Sequence, residues 1–123
     1  MLDDRTTVPD PELVPFAGWT YEDNLTGWSA LLGEAVGGPD VSAYAAPARL
    51  DDPANLPPIY VEVGGLDIFR NECMAFARRT GLAGVSTELH VHAGVPHGWD
   101  VVAPEADVTK RAMDDRIRRL QSV

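Results

Sequence analysis

Ile59-Tyr60-Val61-Glu62-Val63-Gly64-Gly65-Leu66-Asp67 is the stretch on which the fold turns. Pro57-Pro58 keeps any regular element from running into it, and Gly64-Gly65 keeps it from running on. Between them lie residues rich in β-branched and aromatic side chains, the pattern of a short buried strand. A second run, Thr87 to Val91, sets Leu89 and Val91 on one face and Glu88, His90 and His92 on the other. Such alternation predicts an edge strand, half exposed, with its polar residues outward. The interval Asn71 to Thr80 carries Cys73, Phe76, Ala77 and Thr80 at helical spacing, with Glu72, Arg78 and Arg79 off that face. Strand, helix, strand makes a βαβ unit, parallel and right-handed in nearly all known cases. One more helix, about Ala106 to Leu120, has an apolar stripe of Ala106, Met113, Ile117 and Leu120, with acids at its start and arginines at its finish. The fold class is therefore α/β, with residues 58–123 forming a βαβα unit.

The first half is less regular. Pro9, Pro11 and Pro15 break up Met1 to Ala17, which reads as an extended entry. Asn24 to Leu32 predicts a short helix with Leu25, Trp28, Leu31 and Leu32 on one face, ended by Gly33. Gly37-Gly38-Pro39 marks a turn, and Ala45 to Pro58 is again irregular. So much loop is hard to reconcile with a self-sufficient domain. The whole of 1–123 reads as part of one domain, with 1–57 an irregular segment containing a short helix.

Composition excludes several function classes. The 45% apolar and 24% charged residues are those of an ordinary soluble globular chain, not a disordered one. No apolar stretch approaches the roughly 20 residues of a membrane span, and Met1-Leu2-Asp3-Asp4-Arg5 lacks the pattern of a secretory signal. A cytoplasmic location is the resulting expectation. A net charge of −9 argues against nucleic acid as a partner. Arg116, Arg118 and Arg119, mixed with Asp114 and Asp115, are expected to form a solvated helix end. The single cysteine, Cys73, rules out an internal disulfide and a multi-cysteine zinc site. On its helix face it reads as inert packing.

Two loops can carry chemistry, and each follows a strand: Gly64-Gly65-Leu66-Asp67 and Gly94-Val95-Pro96-His97-Gly98. In a parallel pair both lie at the same carboxyl edge, where open α/β sheets place their ligands. Neighbouring strands run about 4.8 Å apart, so Asp67 and His97 can come within hydrogen-bonding reach. A carboxylate beside an imidazole fixes its tautomer and stabilises the imidazolium. A helix-capping Asp and a surface His are the bland alternatives, and the residues alone leave both readings open. His90 and His92 form an H-x-H pair on one strand face. No third ligand stands near them in sequence and a polar outer face accounts for them, so no metal is assigned. Trp19, Trp28 and Trp99 are candidates to line an acyl pocket, against the commoner place of aromatic residues in a core. Trp99, two positions from His97, is the one singled out for the site.

Beyond these loops, the strings Val41-Ser42-Ala43-Tyr44-Ala45-Ala46-Pro47-Ala48-Arg49 and Leu56-Pro57-Pro58 through Asp67, then Phe69-Arg70-Asn71-Glu72 and Pro96-His97-Gly98-Trp99, resemble the hormone-sensitive-lipase-like branch of the α/β-hydrolases. The likeness covers nearly the whole chain, with mild departures at Gly65, Ile68 and Trp99. It implies the C-terminal βαβα portion of a hydrolase sheet, with Met1 to Arg5 just after the sixth strand. Trp19 to Leu32 would lie between the sixth and seventh strands, near a substrate pocket. It further implies carboxylic-ester hydrolysis without a cofactor, an ester as substrate, Asp67 as triad acid and His97 as triad base.

The family's remaining parts are a G-x-S-x-G elbow and a glycine-rich oxyanion loop. Neither occurs here, and Ser29, Ser42, Ser86 and Ser122 lack the flanking glycines of an elbow. A truncated or late-started hydrolase, inactive alone, is the expectation, with a non-catalytic assembly module as the alternative. Without an upstream neighbour, Ile59 to Val63 would keep one unpaired edge, which predicts a homodimer through antiparallel pairing of that strand.

Overall fold

The computed structural model describes residues 1–6 and 8–122. Its main elements are α1 (Tyr21–Leu32), β1 (Ile59–Gly64), α2 (Arg70–Leu82), β2 (Thr87–His92), α3 (Trp99–Val102) and α4 (Asp107–Leu120). Short 3-10 turns occupy Val14–Phe16, Gly33–Ala35 and Pro47–Arg49. The two strands pair in parallel from Ile59 opposite Thr87 to Gly64 opposite His92. The sheet is two parallel strands joined by a helix that packs on both. Among the described residues no helix is long and apolar enough to cross a membrane.

Residues from both halves build one core. Val63, Ile68, Phe69 and Cys73 meet Tyr21 of α1, with Leu2, Ala17 and Val61 packed around them. Burial pushes the Cys73 thiol up to about 12, so it stays protonated and serves as packing. A satellite cluster of Trp28, Val41 and Ala46 lies beneath the loops of the first half. Thr80 hydrogen-bonds Thr87 hydroxyl to hydroxyl at 3.0 Å, tying the end of α2 to the start of β2.

The irregular first segment is held by buried charge. Asp4 accepts from Arg49 at 2.7 and 2.8 Å and from the Gly37 N–H at 2.6 Å. The Arg49 guanidinium keeps the Asp4 carboxyl below its ordinary range. Glu72, expected off the apolar face, is in fact buried. It accepts from the Leu2 N–H at 2.6 Å and from the Thr6 hydroxyl, and burial pushes its pKa up. Helical spacing has no means of registering partners that come from the first six residues.

Other faces also differ from the periodic reading. Helix α1 starts at Tyr21 rather than Asn24, because Thr20 and Asp23 form a reciprocal capping box. Its buried face is Tyr21, Asn24 and Trp28, and Leu25 and Leu31 are exposed. On β2 the faces are reversed: Leu89 and Val91 are exposed, while Glu88, His90 and His92 are half-buried. The cause is α4, which binds that polar face through arginines. Arg116 pairs with Glu62 and, at 2.8 Å, with Asp100; Arg118 pairs with Glu88 and, at 3.3 Å, with Asp115. Arg116 and Arg118 therefore cross-link α4 to the sheet and to α3, although Arg118 stays exposed as expected of a helix end. Helix α4 buries Thr109 and Ala112, and the expected stripe of Met113, Ile117 and Leu120 faces solvent.

Candidate active site

Parallel pairing brings the two post-strand loops together, and their backbones then bond to each other. The Gly65 N–H donates to the His92 carbonyl at 2.7 Å, and the Leu66 N–H to the Val95 carbonyl at 3.0 Å. Gly64 is where the loops come closest. A Cβ there would collide with the Val95 carbonyl oxygen and sit 2.9 Å from that of Pro96. Only a residue without a side chain allows this approach.

Within that seam Asp67 is 5% exposed. One carboxylate oxygen, Oδ1, accepts from the Phe69 N–H at 2.9 Å, just ahead of α2. The other, Oδ2, lies 2.9 Å from His97 Nδ1. Gly98, at a φ of 68°, then turns the chain sharply into α3. The His97 side chain remains 42% exposed, and its Nε2 has no hydrogen-bond partner among the described residues. The Phe69 ring meets the imidazole edge-on at 5.5 Å, and the Trp19 ring lies 6.1 Å away. Asp67 and His97, expected together from sequence, are brought together. The arrangement can take a proton at one imidazole nitrogen while a buried carboxylate holds the other.

Trp99 does not join them. It is buried against His92, at 5.1 Å between rings, and Trp19 stands beside His97 instead. No local signal marks Trp19, because its contact spans most of the chain. None of the four serines hydrogen-bonds His97 among the described residues; Ser42 and Ser122 bond the backbone near themselves.

His90 has neighbours that sequence spacing does not reveal. Its Nε2 lies 2.7 Å from Glu88 Oε1, and its Nδ1 lies 3.5 Å from Asp115 Oδ2. Ligand atoms of Glu88, His90 and Asp115 lie within 4.8 Å of one another. Arg118 already bridges both carboxylates, however, so the group is an ion-pair network joining α4 to β2. His92 stacks on the His90 ring at 5.9 Å and lies 3.9 Å from Glu62.

The model of a family described as having the α/β-hydrolase fold matches residues 4–101. The chain belongs to this family. A bacterial heroin esterase superposes with a TM-score of 0.80 at 38% identity, over 94% of this chain and 37% of its own length. Brefeldin A esterase, a bacterial homologue of human hormone-sensitive lipase, superposes at 0.73 with 26% identity, covering 96% of this chain and 35% of its own. Esterase LipI of Mycobacterium tuberculosis is 32% identical over 75 residues, 58% of this chain and 23% of LipI. The chain is thus similar to hormone-sensitive-lipase-like esterases and spans about a third of the two solved relatives' length.

Proposed function

We propose that this chain supplies the general base His97 and its orienting acid Asp67 to a serine carboxylic-ester hydrolase. One observation carries the reading: Nδ1 of His97 sits on the buried Asp67 carboxylate while no described residue hydrogen-bonds Nε2 of the partly exposed ring, at the carboxyl edge of the sheet. In such a site a serine hydroxyl attacks the ester carbonyl as His97 Nε2 takes its proton. His97 then returns that proton to the departing alcohol, leaving an acyl-enzyme. Water attacks next, gives a proton to His97, and the serine is restored as the acid leaves. Asp67 holds the Nδ1–H tautomer throughout and stabilises the imidazolium, and the cycle needs no cofactor.

Neither a G-x-S-x-G elbow nor a glycine-rich oxyanion loop occurs in these 123 residues, so on this reading the nucleophile and the oxyanion donors must be supplied to the chain. Loss of the oxyanion donors alone removes about 3–4 kcal/mol of transition-state stabilisation. The purified chain is therefore expected to leave 4-nitrophenyl acetate unhydrolysed. A chimera in which it replaces the matching third of the heroin esterase is expected to hydrolyse aryl esters, with activity lost in His97→Ala. A folded but inactive chimera, or turnover by the chain alone that disappears in His97→Ala, would contradict the assignment.

A second reading, an assembly module, draws on the free edge of β1. Beside it lies an open apolar groove of about 600 Å³ lined by Leu2, Tyr44, Leu56, Ile59 and Phe76 among others. For the isolated chain we propose a two-fold dimer in which Ile59 to Val63 pairs antiparallel with its copy. Sedimentation at micromolar concentration checks it: a clean monomer ends the idea. Survival of the dimer in Val61→Pro, which removes a mid-strand donor, moves the interface elsewhere.

A further inference from the structure

We propose that Trp19 selects the alcohol part of the ester, forming an aromatic wall beside His97 that favours benzylic and aryl alcohols over short alkyl ones. This rests on the reading of His97 as the base. Trp28 and Trp99 are 1% and 7% exposed and belong to the interior, whereas Trp19 leaves 37% of its surface in solvent. Its ring centroid lies 6.1 Å from that of His97, the planes inclined by 46°.

Trp19 is firmly held on both flanks. Thr20 follows it and caps α1, its hydroxyl accepting from the Asp23 N–H at 3.1 Å while the Asp23 carboxylate accepts from the Thr20 N–H at 3.0 Å. Gly18 precedes it and lies against the His97 backbone, where a Cβ would stand 3.6 Å from the His97 carbonyl oxygen. A large aromatic side chain on a backbone held on both flanks, left partly exposed beside the His97 imidazole, presents an apolar surface whose position is largely set in advance. Preorganisation of this kind lowers the ordering cost of binding.

The chemistry of the cycle says which half of the substrate meets that surface. His97 Nε2 returns its proton to the leaving alcohol oxygen, so that oxygen must come within about 2.6–3.2 Å of Nε2. The acyl chain departs from the carbonyl carbon, one bond further away. The alcohol's first carbons therefore lie against whatever borders the imidazole. Of the two rings there, Phe69 is buried in the core and Trp19 is open. An aromatic alcohol gains ring–ring contact with the indole that an ethyl group lacks.

The chain alone is sufficient for the test, because the wall is complete without a nucleophile. Benzyl alcohol and, separately, ethanol are titrated into the labelled chain while NMR follows the Trp19 indole N–H and the His97 ring protons. Benzyl alcohol is expected to shift both saturably and ethanol to shift neither. Trp19→Ala is expected to weaken the His97 response about two- to tenfold, the factor that an aromatic pair contributes, and Trp19→Phe to retain most of it. A well-dispersed spectrum for each variant confirms that it folds. Benzyl alcohol that leaves both signals unmoved, or that shifts His97 equally in Trp19→Ala, overturns the proposal. Asp67→Asn separates the two readings. If it changes the His97 tautomer while Trp19 ignores benzyl alcohol, the base stands and the wall falls. If the tautomer is indifferent to Asp67 while Trp19 still responds, the wall stands and the base falls.

Discussion

Two histidines in this chain sit against carboxylates at nearly the same distance, and their surroundings separate them. His97 Nδ1 is 2.9 Å from Asp67, and His90 Nε2 is 2.7 Å from Glu88. Asp67 is buried, fixed by the Phe69 N–H, and faces one imidazole nitrogen while the other has no hydrogen-bond partner among the described residues. Glu88 is half-exposed and shared with Arg118, and the second nitrogen of His90 faces Asp115. A short His–carboxylate contact is thus common to both clusters. What makes one of them a candidate for proton transfer is a dry, immobilised carboxylate on one side and an unclaimed nitrogen on the other. In the other cluster both imidazole nitrogens face carboxylates, and Arg118 ties Glu88 of β2 to α4.

The contrast can be broken most severely at Asp67. In the heroin-esterase chimera, Asp67→Asn is expected to lower kcat about 10⁴-fold, as loss of the correct tautomer does in such triads. His90→Ala is expected to leave turnover near the parent level. Steady-state hydrolysis of an aryl ester checks both, and equal losses at the two positions would erase the distinction.

Gly64→Ala is the next largest change. The added methyl has no room against the Val95 and Pro96 carbonyls, so the loops must part. A destabilisation of about 1–3 kcal/mol is expected, together with loss of the Asp67–His97 hydrogen bond. The His90 cluster should be unaffected. Thermal or urea unfolding gives the first quantity and imidazole NMR the second.

Arg118→Ala should have the smallest effect, because its partners are partly exposed. Arg118, and then His90, hold the Glu88 carboxyl below its ordinary value of 4.5. A depressed folded-state pKa contributes stability that is present above the unfolded value and lost as pH falls through the folded one. The stability gap between wild type and Arg118→Ala is therefore expected at neutral pH and should close in acid. A gap that widens on acidification would show that Arg118 acts through another partner.

The strands were legible because prolines and glycines bound them, and the Asp67–His97 pairing because parallel strands carry both loops to one edge. The faces of β2 and α4 were not. Which face of a two-sided strand is covered depends on what lies over it, and here α4 is fastened by arginine–carboxylate pairs between distant segments. Ion pairs of that kind leave no periodic trace, so Leu89, Val91 and Met113 read as buried but face solvent. Glu72 was misplaced for the same reason, since Leu2 and Thr6 satisfy it from far along the chain. Trp19 rather than Trp99 stands beside His97, because nearness in sequence is not nearness in space.

The most direct test of the central claim is the ¹⁵N spectrum of the His97 imidazole in the purified chain, compared with Asp67→Asn. The account predicts that neutral His97 carries its proton on Nδ1, hydrogen-bonded to Asp67, with Nε2 unprotonated, and that Asp67→Asn abolishes this preference. A proton resting on Nε2 in the wild-type chain, or a tautomer indifferent to the substitution, would contradict it.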